Sequence, residues 1–426
     1  MRNSRWLALF SVLWLLWASG CQPDEKGSVP SGGSAQAESS EQAGSTLASQ
    51  TQVRGRLETI GEGEDAIDVI YLEGSPYQMG YTHGKLTAEK VRKFYSNIIL
   101  AMCVAMKVPV QALDEAWQAM EPFVAADLKE EMRGLADGAD VELKMVQRAH
   151  AIPDLSEFHC TFFASWGKAT SNSHLIQIRA LDYATAAGIQ NCPAIIVYKP
   201  DGKIPFVTVG WAGFIGCVTG ISGKSIAVSE IGTNVGDEKE TLEGEPFPFL
   251  LRRVLSDALT LDDAVRIIQD AKRTSSYLYC VGDGKIPSAR AFLTCKDWAY
   301  VFDPKSLPNR KLDDTVYFSM GHNSPWNEKL YDVLKSKMGQ IDEKVAMEDV
   351  MRGLGTGDLH AVAWDVTHLK MWVANCTSAP LGTTGRPAYG ETFVPFDVAK
   401  ALGVVPEQAT PPAAMEGEAQ TQTDKM

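Results

Sequence analysis

Residues 66–74, AIDVIYLEG, alternate apolar and polar side chains with the period of a half-buried strand. The chain then runs through GSPYQMGYTHGKL into a helical stretch reaching Lys93. Asp114–Met132 and Val141–Ala151 carry apolar residues three and four apart and predict two more helices. From Cys160 onward the texture changes. CTFFASWGKAT, HLIQIRALDY, PAIIVYKP, PFVTVGWAG and KSIAVSEIG are short, β-rich and separated by turn residues. Two helices follow, PFPFLLRRVLSDA and LDDAVRIIQDAKR, the second with a capping box from Thr260 and Asp263. SYLYCVG, SARAFLT, WAYVFDP and VYFSM are again strands, followed by helices over Trp326–Met338 and Glu343–Met351. HAVAWDV and LKMWVAN close the pattern as a hairpin. Blocks of strands alternating with pairs of helices predict an α+β fold with layered antiparallel sheets, since a doubly wound parallel sheet would alternate singly.

The two ends have a different composition. Arg2 and Arg5 precede an apolar run from Trp6 to Trp17, a pattern of export rather than of a spanning helix. The run ends Ala18-Ser19-Gly20-Cys21, which resembles the lipobox of bacterial lipoproteins except that Ala18 stands where Leu is more usual. The resemblance implies a signal peptide over 1–20, cleavage before Cys21, and lipid on the Cys21 thiol. The mature protein would then sit on the bacterial cell envelope, at a periplasmic or extracellular face. An ordinary secretory signal with an incidental cysteine is the other reading. Residues 21–55 read as a flexible tether, because Ser, Gly, Ala, Gln and Glu cannot bury enough apolar surface to order a segment. Residues 406–426 read as a frayed tail on the same grounds. The globular part is expected over 56–405. A net charge of −13 disfavours nucleic acid as a partner and disfavours adsorption to anionic lipid, leaving the lipid chain as the membrane tether.

The chain shows no glycine-rich phosphate loop between a strand and a helix and no HExxH or cysteine pattern for zinc, so neither a cofactor nor a metal is expected. Cys280 and Cys295 flank a glycine-containing turn between two strands and are candidates for a disulfide. Cys160 is the cysteine of interest. It stands at the head of a predicted hairpin and by itself could be a core thiol, half of a disulfide or a nucleophile. A nucleophilic cysteine needs a base. A distant histidine is one solution. The other is a cut between His159 and Cys160, which makes the cysteine's own α-amino group available, with an unperturbed pKa near 8.

Four blocks in order, GSPYQMGYTHGKL, CTFFASWGKAT…IRALDY, GHNSPWN and LHAVAWDVTHLKMWVAN, resemble the acyl-CoA:6-aminopenicillanic acid acyltransferase-like family. Its members are N-terminal-nucleophile (Ntn) cysteine hydrolases, related to bile salt hydrolases and acid ceramidase. The likeness runs from about Asp68 to Asp397. It implies a four-layer αββα sandwich with two stacked antiparallel sheets, and a precursor cut into a light part (56–159) and a heavy part (160–405). It implies Cys160 as nucleophile, with Arg179 and Asp182 holding its amino group and the substrate. Asn323 would help bind the oxyanion. Gly220-Ile221-Ser222-Gly223 takes the place of the family's Gly-Met-Asn-Glu segment, so Ser222 departs from the pattern, and Glu230 and Asn234 are candidates for the substrate or oxyanion role. Ala180 replaces the usual Asn between Arg179 and Asp182. Residues three apart on a strand face opposite sides, so Arg179 and Asp182 share a site only if the strand ends or bulges near Leu181.

The implied activity is hydrolysis or transfer of the acyl group of a small-molecule amide through a Cys160 thioester. Two alternatives stand beside it: a catalytically silent envelope module that keeps the fold, and a papain-like thiol hydrolase using a distant histidine.

Overall fold

The computed structural model of the protein describes residues 51–156, 160–233, 235 and 240–407. The signal peptide, Cys21, most of the tether, His159, Asn234 and nearly all of the tail lie outside the described residues.

Two sheets form the centre. The nine-stranded sheet runs β1 (Gly55–Ile60), β2 (Ile67–Gly74), β5 (Pro193–Pro200), β6 (Phe206–Trp211), β7 (Thr219–Ser222), β8 (Ile226–Gly232), β9 (Tyr277–Asp283), β10 (Ser288–Thr294) and β11 (Ala299–Phe302). The six-stranded sheet runs β12 (Thr315–Ser319), β3 (Cys160–Gly167), β4 (Ser173–Leu181), β13 (His360–Asp365), β14 (Lys370–Asn375) and β15 (Val394–Asp397). Strands β3 and β4 pack face to face on β8 and β9. Helices cover both outer faces. α1 (Pro76–Met106), α5 (Phe247–Asp257) and α6 (Leu261–Asp270) lie on the larger sheet, and α7 (Trp326–Ser336) lies on the smaller. This is the α+β, αββα sandwich expected. Among the described strands the pairing is antiparallel except between β2 and β5, which are parallel. A parallel pair needs a long crossover, and here the chain passes through the helices and the β3–β4 hairpin between them.

The buried strands explain the short apolar runs. In β3 the first six residues are all buried, because the strand is flanked by β12 and β4 and covered on both faces. The interior between the sheets is not purely apolar. Gln177 Nε2 donates to Ser229 Oγ at 3.0 Å, and the Thr219 hydroxyl meets His360 Nε2 at 2.8 Å. Both contacts tie one sheet to the other.

α1 begins with a capping box: Gln78 N–H donates to Ser75 Oγ, and Ser75 N–H donates to Gln78 Oε1. The helix then crosses α3 (Ala126–Ala139) so closely that side chains are excluded. A Cβ at Gly80 would lie 2.0 Å from the Glu131 carbonyl oxygen, and one at Gly134 would lie 2.1 Å from that of Tyr77. The predicted helix over Asp114–Met132 is in fact two, α2 (Gln111–Met120) and α3, because Pro122 has no N–H to continue the ladder. α4 (Leu143–Ala151) follows, and α8 (Val398–Leu402) is the last helix among the described residues.

The capping box on α6 is present as expected, with Asp263 N–H donating to Thr260 Oγ1 at 3.1 Å. Thr260→Ala is expected to lower stability by about 1 kcal/mol in a urea melt. The Cys280–Cys295 disulfide is not formed. The hairpin register sets Cys280 opposite Ala291, and the described cysteines are all free. Among the described residues no single helix is long and apolar enough to cross a membrane.

Candidate active site

Cys160 is the first residue of β3, paired with Leu181 at the end of β4. Because β4 stops at Leu181, Asp182 is free of the strand's alternation and comes to the same site as Arg179. The Arg179 guanidinium and the Asp182 backbone both lie beside the Cys160 sulfur and favour its ionised form. Arg179 is fully buried. It donates to the Ala180 carbonyl at 2.8 Å and to Glu230 on β8, an ion pair that joins the two sheets. Burial raises the Glu230 carboxyl, and Arg179 opposes that rise.

Asp182 is held by three donors: Thr356 Oγ1 at 2.8 Å, Gly357 N–H at 2.7 Å and Asp358 N–H at 3.0 Å. Asp358 returns the contact by accepting from Tyr183 N–H at 2.9 Å. The hydroxyls of Thr356, Thr161 and Ser319 continue the network, at 2.9 Å and 2.8 Å. These partners fix Asp182 beside Cys160 from the loop that leads into β13. Burial, reinforced by the nearby Asp182 charge, pushes Asp358 up to about 7.

The Cys160 thiol itself is raised well above its ordinary value by burial, with Arg179 opposing. It is therefore protonated at neutral pH and needs a base to become a nucleophile. Among the described residues no histidine lines the recess at Cys160. His83 and His150 accept backbone N–H bonds from Gly213 and Ile215, and burial holds them down at about 3 and about 4. His360 is buried against Thr219 and stacked on Trp211.

That recess encloses about 60 Å³ within a larger hollow of about 580 Å³ that opens to solvent. Phe94, Ile98, Ile152, Trp211, Phe214 and Phe247 give it an apolar wall. Cys160, Glu230, Ser156 and Tyr183 supply its polar groups. Trp211, on β6, is in this wall. Phe162 and Phe163 are fully buried strand residues outside it.

The remaining expectations divide. Cys160, Arg179, Asp182 and Glu230 come together. Glu230 is the counter-ion of Arg179, and an ionised carboxylate accepts hydrogen bonds and donates none, so it does not fit the oxyanion role. Ser222 is buried at the turn into β8, where its hydroxyl accepts from Lys224 N–H and Ile226 N–H. Glu230 lies four residues beyond Ile226 on that strand, roughly 13 Å along it, so Ser222 is outside the site. Asn323 is exposed in the turn before α7 and does not line the recess. The neighbouring asparagine, Asn327, is the buried one, and it braces Ser319 N–H and the Gly321 carbonyl. Thr356 and Asp358 were not read from the sequence. Their link to Asp182 spans 174 and 176 residues, and no local pattern marks it.

Behind the recess wall, Asp154 is buried, accepting from Thr274 Oγ1 at 2.5 Å and Phe247 N–H at 3.3 Å. Burial pushes it up to about 7. The folded chain therefore holds this proton where the unfolded chain, near pKa 3.9, releases it. The stability contributed is present at low pH and is lost as pH rises from about 4 to about 7. Relative to wild type, Asp154→Asn is expected to gain stability across that window and to run parallel above it, as read from melting temperatures between pH 4 and 8.

No protein-family profile matches the chain. Protein dcd1A of Dictyostelium discoideum is 28% identical over 388 residues, 81% of this chain and 88% of that protein. Protein dcd1B of the same organism is 25% identical over 400 residues, 84% of this chain and 79% of the other. Among solved structures, a Caenorhabditis elegans N-acylethanolamine-hydrolyzing acid amidase ortholog has a TM-score of 0.40 and 17% identity, covering 49% of this chain and 93% of that one. Penicillin V acylase from Agrobacterium tumefaciens has a TM-score of 0.36 and 10% identity, covering 51% of this chain and 83% of that one. A conjugated bile acid hydrolase from Clostridium perfringens has a TM-score of 0.35 and 12% identity, covering 51% and 89%. The sandwich architecture is read from the chain's own sheet order and packing.

Proposed function

We propose that the chain is a cysteine amidohydrolase or acyltransferase of the Ntn type that cuts itself between His159 and Cys160. The observation that carries this reading is Cys160, which lines an apolar recess and has Arg179 and Asp182 beside it. In self-cleavage the Cys160 sulfur attacks the His159 carbonyl carbon, the thiol proton passes to the cysteine's nitrogen as the peptide C–N bond breaks, and water hydrolyses the resulting thioester. The released α-amino group then takes the thiol proton in each turnover. Sulfur attacks the substrate's amide carbonyl, the amine leaves with that proton, and the acyl group stays on Cys160. Water returns an acid and the free thiol. An amine acceptor in place of water makes the reaction a transfer.

Arg179 balances charge beside the sulfur, and Asp182, oriented by Thr356 and two backbone N–H groups, faces the new amino group. The apolar wall favours an apolar acyl moiety, since its burial is worth about 25 cal/mol per Å². Export and a lipid on Cys21 belong to the same proposal. Metabolic labelling with palmitate tests the lipid, and label retained by Cys21→Ser would contradict it.

A silent binding module is the second reading, favoured by the complete burial of the Cys160 thiol. Trapping separates the two. Protein quenched in acid during incubation with an apolar acyl anilide should carry the acyl mass on the peptide beginning at Cys160. Absence of both the adduct and released aniline, over a panel of acyl groups, favours the silent module.

A further inference from the structure

At the far end of the smaller sheet, three side chains distant in sequence share one point. His174 is the second residue of β4, Asp365 is the last residue of β13, and His368 lies in the turn into β14. Asp365 pairs with Ile176, which places His174 two residues along on the same face of the sheet. His174 Nδ1 is 3.0 Å from Asp365 Oδ2, and His368 Nδ1 is 2.9 Å from that same oxygen. The other Asp365 oxygen accepts the His368 backbone N–H at 3.0 Å, which fixes the turn and turns the ring back toward the strand. The two imidazoles are 4.1 Å apart between centroids.

We propose that His174, Asp365 and His368 bind one zinc-class divalent cation. The donors are two imidazole nitrogens and a carboxylate oxygen, a set that suits zinc and does not suit calcium or magnesium. The three ligand atoms all lie within 4.8 Å of one another. With ligand bonds of 2.0–2.1 Å, a tetrahedral site needs its donors about 3.3 Å apart. The two Nδ1–Oδ2 separations therefore need to open by only about 0.3–0.4 Å. Side-chain exposures of 27% for His174 and 33% for His368 leave a fourth position to water, while Asp365 at 10% is anchored. The ion replaces the protons that the two Nδ1 atoms otherwise direct at one oxygen.

The site is not part of the Cys160 chemistry. His174 is seven residues along β4 from Leu181, the partner of Cys160, which is roughly 23 Å of strand. Its role is a clasp across β4, β13 and the β13–β14 turn. Sequence reading missed it because His174 and Asp365 are 191 residues apart, so no ligand spacing appears.

Tag-free full-length protein, stripped with chelator and dialysed, is titrated with zinc chloride by calorimetry and with cobalt chloride by visible absorption. One saturable zinc site per chain is expected, with visible bands of a four-coordinate cobalt centre and a raised melting temperature. His174→Ala and His368→Ala are each expected to weaken zinc binding by at least about tenfold, with His322→Ala unchanged. Thermal melts of the metal-free proteins confirm that each variant folds. Two results overturn the proposal: no saturable site in wild type below about 100 μM zinc, or undiminished binding in the folded His174→Ala/His368→Ala double variant.

Discussion

Cys160→Ala is expected to accumulate as one intact chain and to lose amide hydrolysis by at least about 10³-fold. Both effects come from one atom. The sulfur that attacks the His159 carbonyl during maturation is the one that later attacks the substrate, and alanine offers no nucleophile for either step. Cys160→Ser separates the two events, since its oxygen is a weaker nucleophile and should cut slowly. The fold is expected to survive in both variants. The Cys160 side chain is a small buried group, and the β3 backbone ladder does not depend on it. Electrophoresis under denaturing conditions reads the processing, and release of an anilide chromophore reads the chemistry.

The second large effect is on stability. Arg179→Met is expected to cost about 3–5 kcal/mol, because it leaves Glu230 buried without its counter-ion. The pair spans the two sheets, so the loss falls on their packing as well as on the site. Arg179→Met/Glu230→Gln removes the uncompensated charge and should recover much of that stability. It should not recover activity, because the positive charge beside the Cys160 sulfur is still missing. Urea melts of the two variants, with turnover measured on the same samples, distinguish the roles. Equal stability of the single and double variants would show that the loss does not come from an uncompensated Glu230 charge.

Much of the architecture was legible because local rules and tertiary contacts agree in it. The α6 capping box follows from Thr260 and Asp263 alone, and the β3–β4 and β13–β14 hairpins follow from apolar runs and turn residues. The requirement that Arg179 and Asp182 share a site demanded a strand end near Leu181, and β4 ends there. What was hidden is non-local or locally ambiguous. β1, GRLETI, is almost wholly exposed and carries no apolar stripe, so no strand is expected there from pattern alone. The β2–β5 pairing joins segments separated by four helices, beyond the reach of any period. Asn323 and Asn327 differ by four positions, and local pattern gives no means of telling the buried one from the exposed one. The Glu230 position was singled out, but its partner lies 51 residues away, so its work as the Arg179 counter-ion emerges only from the stacked sheets.

The glycines of GSPYQMGYTHGKL show the same division. They resemble a family block in sequence. In the fold, Gly80 and Gly84 let α1 approach the backbone of α3, which settles why side chains are absent there.

The most direct test of the central claim is the N-terminal sequence of the polypeptides in catalytically active protein. The account predicts two chains that separate on denaturation, the larger beginning Cys160-Thr161-Phe162-Phe163. Active protein consisting of one uncut chain would contradict it.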